Sequence, residues 1–428
     1  MRKLLEAIKN AWGAKGLAAI VTISVFTFAI ASFFTLQQVS MEAPYDIFPQ
    51  DISEPSPSFD PFIPPFQPDL IILEPPSQSA DGLVFDEIVN IQNVSVSQDG
   101  NFSLVRVFFG TNRNQIPNPS IGISFGVDRG QEIVYGKSFV TIPREHRLGE
   151  LESPSIWKLE FSENPNDHVM VMHNERMGFE DFFADLNAQI ASSLDNSALI
   201  FLHGCCTTFE DAARRTAQMS YDLGFPGAPI FFSWPSKGEE IQYTVDGNTI
   251  EWAKPQVKEF LETVIVDSMA QNVFIIAHSM GAELLGSALS EIYIENPNAR
   301  NWVSEIILAA PDIDRQIFQE QIAPVIGAAN APVTLYASSN DRALRLSREV
   351  NGEFRAGDAS NGIVIADGVE SIDASNADTS LIGHSYYGDT RSILGDIFDL
   401  VRNRTRPDSR FQLRPVNSPE GKYWEYRP

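Results

Sequence analysis

From residue 198 onward, short apolar runs alternate with segments whose apolar residues recur at helical spacing. Ala198-Leu199-Ile200-Phe201-Leu202 is the first run, and residues 229–234, 273–277, 306–310 and 332–337 repeat it. Runs of this kind, apolar without alternation, fit strands buried on both faces. Between them, residues 208–223, 255–269 and 280–292 carry helical patterns. The alternation predicts a mainly parallel sheet flanked by helices, an α/β fold class. Ahead of it, Phe179, Phe182, Phe183, Leu186 and Ile190 mark one face of a helix. Residues 85–91, 104–109, 134–142, 157–161 and 168–172 read as earlier strands.

The first hundred residues follow another pattern. Arg2, Lys3, Lys9 and Lys15 precede an apolar stretch over residues 16–36, and no charged residue occurs from Gly16 to Met41. As a helix rising ~1.5 Å per residue, such a stretch spans a ~30 Å hydrocarbon core. Lys and Arg are absent from Gly16 to Val105 while acids recur from Glu42. The asymmetry places the N-terminus in the cytoplasm and the remainder on the extracytoplasmic, periplasmic side, as a single-pass membrane protein. Cleavage near Ala29-Ile30-Ala31 is the alternative, but the basic lead-in and Phe33-Phe34 favour an uncleaved signal anchor. Ten prolines between Pro44 and Pro76 then exclude helix and central strand, leaving an extended tether. The expected organisation is a basic N-terminus (1–15), a transmembrane anchor (16–36), a Pro-rich acidic linker (37–80), a catalytic α/β domain (81–405) and a polar C-terminal tail (406–428).

The densest chemical signal is Ala277-His278-Ser279-Met280-Gly281, between an apolar run and a helical segment. A strand, a sharp turn with a central serine and a helix form a nucleophile elbow, which presents the hydroxyl above the strand ends. The residues two before and two after must be small, and Ala277 and Gly281 meet that requirement, although the first is commonly Gly. A serine hydroxyl needs a base to take its proton and an acid to orient the base. His384 is the only histidine beyond Ser279. Asp341, after the run at 332–337, stands where the acid is expected. Asp312, after the run at 306–310, is the alternative acid, or else a helix cap. For the oxyanion, the backbone N–H groups of Met280 and Cys205 are the expected donors, the latter after the turn His203-Gly204. Thr207-x-x-Glu210 or Thr208-x-x-Asp211 opens the next helix as a capping box.

These motifs, together with Phe108-Phe109-Gly110-Thr111-Asn112-Arg113, the stretch from Thr141 to Glu152, Phe231-Phe232-Ser233-Trp234-Pro235-Ser236, Ala309-Ala310-Pro311-Asp312-Ile313-Asp314 and Gly383-His384-Ser385-Tyr386, resemble a largely uncharacterised bacterial group of esterase/lipase-like α/β-hydrolase-fold proteins. The resemblance extends over about residues 105–400. It implies an α/β-hydrolase fold with Ser279, Asp341 and His384 at the matching triad positions, and no particular substrate. One departure is Cys205-Cys206, where the group carries polar or aromatic residues.

The two adjacent cysteines read as small buried residues in a packed turn; a strained disulfide beside the oxyanion hole is the alternative. His278 fills the variable slot of the elbow and should turn away from Ser279. His203 should fix the oxyanion loop by hydrogen bonding, and His146, His168 and His173 read as structural or surface residues. Residues 236–248, with the turn signal Asp246-Gly247, read as a long loop or small hairpin near the acyl or alcohol pocket. That segment is too short for a large helical lid, which favours smaller esters over triglycerides. No metal motif or phosphate-cradling loop is present, so neither metal nor cofactor is expected. With Lys+Arg 31 against Asp+Glu 56, the net charge of −25 excludes nucleic acid as a partner. The expectation is a membrane-anchored serine hydrolase cleaving carboxylic esters through an acyl-serine intermediate, on small-molecule or acyl ester substrates. An acyltransferase using the same triad, or a non-catalytic binding or scaffold protein of this fold, remain the alternatives.

Overall fold

The computed structural model describes residues 94–97, 100–118, 120–154, 163–239, 242–328, 331–377 and 391–427. The expected anchor, the linker, the strands at 85–91 and 157–161, and His384 lie outside the described residues. Among those described, no helix is long and apolar enough to cross a membrane.

The strands are β1 (Val94–Val96), β2 (Phe102–Asn118), β3 (Gly122–Pro143), β4 (Val171–Met177), β5 (Ser197–Leu202), β6 (Ala228–Ser233), β7 (Asn272–His278), β8 (Val303–Ala309), β9 (Val333–Ala337), β10 (Val369–Asp373), β11 (Leu413–Ser418) and β12 (Gly421–Tyr426). They form one sheet in the order β11-β12-β10-β9-β8-β7-β5-β6-β2-β3-β4, with β1 on β2. From β2 through β6, β5, β7, β8, β9 and β10 to β12 the pairing is parallel. The parallel centre agrees with the apolar runs. Both edges are antiparallel, however: β3 and β4 at one side and β11 at the other. The sheet is therefore mixed rather than simply parallel, because an edge strand can be added through a short hairpin, whereas a parallel neighbour needs a crossover.

Helices cover both faces. On one, α1 (Phe179–Ser192), α3 (Tyr243–Glu262) and α4 (Met280–Glu295) pack Phe182, Leu186, Val257, Phe260, Leu285 and Leu289 against Ile200, Phe232, Ile275 and Leu308. On the other, α2 (Phe209–Asp222), α5 (Arg342–Asn351) and α6 (Arg391–Asn403) contribute Phe209, Ala213, Leu344, Ile397 and Leu400 to a second core with Phe201, Phe231, Ile276 and Tyr336. The period-2 alternation of strand side chains feeds both cores at once. Of the two candidate capping boxes, Thr208 with Asp211 is the one formed at α2.

Two expectations change. The segment at 236–248 is not wholly loop, since α3 begins at Tyr243 and runs through Asp246-Gly247-Asn248. Burial of Asp246, Thr249 and Ile250 against the strand ends overrides the local turn signal. Residues 406–428 do not form a peripheral tail: β12 joins β10 in parallel, and Tyr426 is fully buried. Arg410 is fixed by Asp396 at 2.7 Å, and its Nη1 also donates to the Tyr336 hydroxyl at 3.2 Å. A smaller shift concerns β4, which lies at Val171–Met177 rather than 168–172.

Candidate active site

The C-terminal ends of β5, β7, β8 and β9 lie side by side, and the chain turns out of each through one of the residues singled out above. At the end of β7, Ser279 has φ 52° and ψ −123°, and α4 starts at the next residue. A non-glycine residue at positive φ costs of order 1–3 kcal/mol, which the surrounding structure must supply. Here Ser279 N–H donates to Ala309 O at 3.0 Å and Ser279 O accepts from Asp312 N–H at 3.1 Å. Both neighbours of the turn are constrained as the motif requires. A side chain at Gly281 would collide with the His203 and Leu202 carbonyl oxygens. Ala277 is fully buried between Leu202 of β5 and Leu308 of β8.

The turn after β5 closes on the same point. A methyl group at Gly204 would lie 2.8 Å from Ser279 Cβ and 2.9 Å from His278 Nδ1. Gly204 is thus a position where backbone meets nucleophile, and the His278 ring borders the same turn. Among the described residues no acceptor engages the Cys205 N–H. Met280 occupies the first helical position, where an N–H has no partner within the helix. The Cys205 and Cys206 sulfurs lie 3.1 Å apart, hydrogen-bonded and not joined in a disulfide. The sulfur–sulfur hydrogen bond, with burial and the neighbouring acids Asp246 and Asp312, pushes the Cys205 thiol far above its ordinary value. It is a packed thiol, not a competing nucleophile.

The two candidate acids have different surroundings. Asp341, at the end of β9, caps α5 by accepting from Ala343 N–H at 2.9 Å and Leu344 N–H at 3.0 Å, both at Oδ1. Asp312, beyond β8, accepts at Oδ1 from Arg355 Nε and Ser347 Oγ, each at 2.6 Å, and at Oδ2 from Tyr243 OH at 2.7 Å. It caps no helix; Asp314 caps the following turn through Gln316 and Ile317. His384 is not among the described residues.

His203 is fully buried, stacked on Trp234 with centroids 5.2 Å apart. Burial, reinforced by the Arg113 charge, lowers its pKa to about 3. It is therefore neutral at working pH. Its Nδ1 lies 2.8 Å from Gly204 O, and its Nε2 3.2 Å from Ser233 Oγ. Arg113 and Asp246 complete the frame. Arg113 donates to Ser233 Oγ, Ser236 O, Gly126 O and Thr207 O at 2.7–3.1 Å. Asp246 accepts from Ser236 Oγ at 2.7 Å, Lys237 N–H at 2.9 Å and Cys206 N–H at 3.3 Å. In the sequence Arg113 and Ser233 fall within motifs without a role, Asp246 reads only as part of a turn, and Tyr243 and Arg355 carry no signal of their own.

The remaining histidines are structural. His146 sits between Glu152 and Asp222, each 2.8 Å away. Burial opposes its protonation, but the hydrogen bonds and charges of Asp222 and Glu152 outweigh it and raise the pKa to about 9. His168 accepts from Asn164 N–H at 2.9 Å through Nδ1, and His173 stacks on Phe139.

Comparison with curated protein sequences gives no match. Among solved structures, the chain is similar to one from Lactobacillus plantarum WCFS1 assigned as a cell surface hydrolase, at 13% identity, covering 50% of this chain and 94% of that one with a TM-score of 0.31. It is similar to fungal esterase from Rhizomucor miehei at 11% identity, covering 70% and 83% with a TM-score of 0.28. It is similar to the Francisella virulence factor BioJ at 14% identity, covering 49% and 77% with a TM-score of 0.29. Residues 180–404, which carry α1 through α6 and the strand ends described above, match the family described as alpha/beta hydrolase of unknown function (DUF900). With more than half of its length matched, this chain belongs to that family of α/β hydrolases.

Proposed function

We propose that this α/β hydrolase is a membrane-anchored serine hydrolase that cleaves carboxylic esters. Ser279 is the nucleophile, His384 the general base and then general acid, and Asp341 the acid that orients it. The observation that carries the reading is Ser279 itself: a positive-φ serine between β7 and α4, with the Gly204–Cys205 peptide packed against it. Strained backbone is retained where the surrounding fold enforces it, and such sites cluster in active centres.

In this scheme Ser279 Oγ attacks the ester carbonyl as His384 accepts its proton. The carbonyl oxygen becomes an oxyanion that receives the N–H groups of Met280 and Cys205. The imidazolium then protonates the departing alcohol, leaving acyl-Ser279. Water, deprotonated by His384, releases the acid and restores the serine. Asp341 is preferred over Asp312 because Asp312 is already engaged at both oxygens by Arg355, Ser347 and Tyr243. Asp341 caps α5 through Oδ1 and follows β9, between Ser279 and His384 in the chain order expected of the triad acid. Anchoring rests on the uncharged, apolar composition of residues 16–36 and on the absence of Lys and Arg through Val105.

The test is pre-steady-state hydrolysis of p-nitrophenyl esters by the full chain in detergent micelles. An initial burst of one nitrophenol per chain, absent in Ser279→Ala, is the expected result, because an acyl-enzyme accumulates before water releases it. Equal turnover by parent and variant would overturn the assignment. Resistance of the native protein to alkaline extraction from membranes tests the anchor separately.

A further inference from the structure

The peptide between Gly204 and Cys205 has two ends that matter. Its N–H is the expected oxyanion donor, and its carbonyl oxygen is held by His203. Each hydrogen bond leading back from that carbonyl has one possible direction. Gly204 O can only accept, so His203 Nδ1 carries the proton. A neutral imidazole protonated at Nδ1 can only accept at Nε2, so the Ser233 hydroxyl donates there, at 3.2 Å. Ser233 Oγ accepts in turn from Arg113 Nε–H at 2.8 Å, and a guanidinium has no acceptor to offer. The result is a one-way relay: Arg113, Ser233, His203, Gly204 carbonyl.

We propose that Arg113 is a positioning residue for acyl transfer at Ser279, acting through Ser233 and His203 on the Gly204–Cys205 peptide. The proposal rests on the reading of Ser279 as nucleophile. A trans peptide points its N–H opposite to its C=O. Holding the carbonyl therefore aims the N–H. A chain of aligned hydrogen bonds ending in a cation also polarises each member, which strengthens the final donor. The frame around the relay is rigid: Trp234 stacks on the His203 ring and its Nε1–H donates to His203 O at 2.9 Å. Arg113 ties down the same loop further on, donating to Thr207 O at 2.7 Å.

The burial of Arg113 argues that this arrangement is selective. The side chain is almost fully enclosed, and among the described residues no carboxylate forms an ion pair with it. Enclosing a charge without a directly paired acid is costly, and four hydrogen bonds offset only part of that cost. A neutral side chain could brace the loops. It could not place a positive charge at the end of the chain.

Kinetics of the full chain in detergent micelles test this, with p-nitrophenyl acetate as substrate and Ser233→Ala, Arg113→Lys and the double variant as enzymes. Stoichiometric phosphonylation of parental Ser279 by a fluorophosphonate is checked first. In Ser233→Ala, kcat should fall about 10- to 100-fold, somewhat less than the loss of a whole oxyanion donor, with KM within about threefold. Because one break interrupts the relay, the double variant should be no slower than the slower single variant. Substitution of His203 separates positioning from packing: in Asn the amide N–H stands where Nδ1–H stood, whereas in Gln it stands near Nε2. His203→Asn should therefore retain more kcat than His203→Gln at equal melting temperature. Parental kcat in Ser233→Ala, multiplied losses in the double variant, or equal losses for Asn and Gln would overturn the proposal. A parent that takes no phosphonyl group would instead overturn the nucleophile assignment, and this proposal with it.

Discussion

His203 and His146 are both buried, and the fold holds them in opposite charge states. At the strand ends, His203 faces the Arg113 cation and a serine hydroxyl, and its pKa falls to about 3. Beyond β3, His146 lies between Glu152 and Asp222, and its pKa rises to about 9. Burial opposes the charged form in both, so the partners decide the outcome. A general base works best with a pKa near the operating pH. His203 cannot readily gain a proton, and His146 cannot readily lose one. The contrast argues against either as the base, a role the proposed function gives to His384.

The sharpest way to break this comparison is to exchange its members in activity. His384→Ala should reduce kcat about 10⁴- to 10⁶-fold, as loss of a triad base does, while His203→Asn should cost no more than about 100-fold. Equal losses would make His203 a base and contradict its neutral assignment. Next in size is Asp341→Asn, expected to lower kcat about 10⁴-fold at little cost in stability, since an amide oxygen still caps α5. Asp312→Asn should behave in the opposite way. It removes one partner of a buried ion pair with Arg355 and should cost roughly 3–5 kcal/mol of stability, with a smaller effect on kcat of the folded fraction. Denaturant unfolding beside steady-state kinetics separates the two.

The smallest effect is the pH dependence of the His146 clasp. Its folded pKa, about 9, lies above the unfolded value near 6.5, so its contribution is fully present below pH 6.5. It is lost progressively as pH rises through about 9. Glu305, whose burial raises its pKa to about 7, gives a loss of the same sign over a lower range. The difference in melting temperature between parent and His146→Asn isolates the clasp: it should be largest at or below pH 6.5 and shrink towards pH 9.

Much of this site was legible from local pattern. The elbow at Ser279, the turn at Gly204 and the run ending before Asp341 follow from short segments whose steric demands are local. What was not legible depends on partners distant in sequence. Arg113 has no role in the sequence pattern until it meets Ser233, which lies 120 positions away. Asp246-Gly247 reads as a turn until Ser236, Lys237 and Cys206 engage the aspartate and the helix packs. The C-terminal residues read as polar, yet Trp424 and Tyr426 alternate inward and Arg410 finds Asp396 inside the second core. Polar residues that become buried through distant partners are the systematic blind spot of periodicity arguments.

The central claim, an activated serine at position 279, is tested most directly by intact-mass analysis of the full chain after fluorophosphonate treatment, with Ser279→Ala in parallel. The account predicts one phosphonyl adduct on the parent and none on the variant. A folded parent without an adduct, or a variant that still takes one, would contradict it.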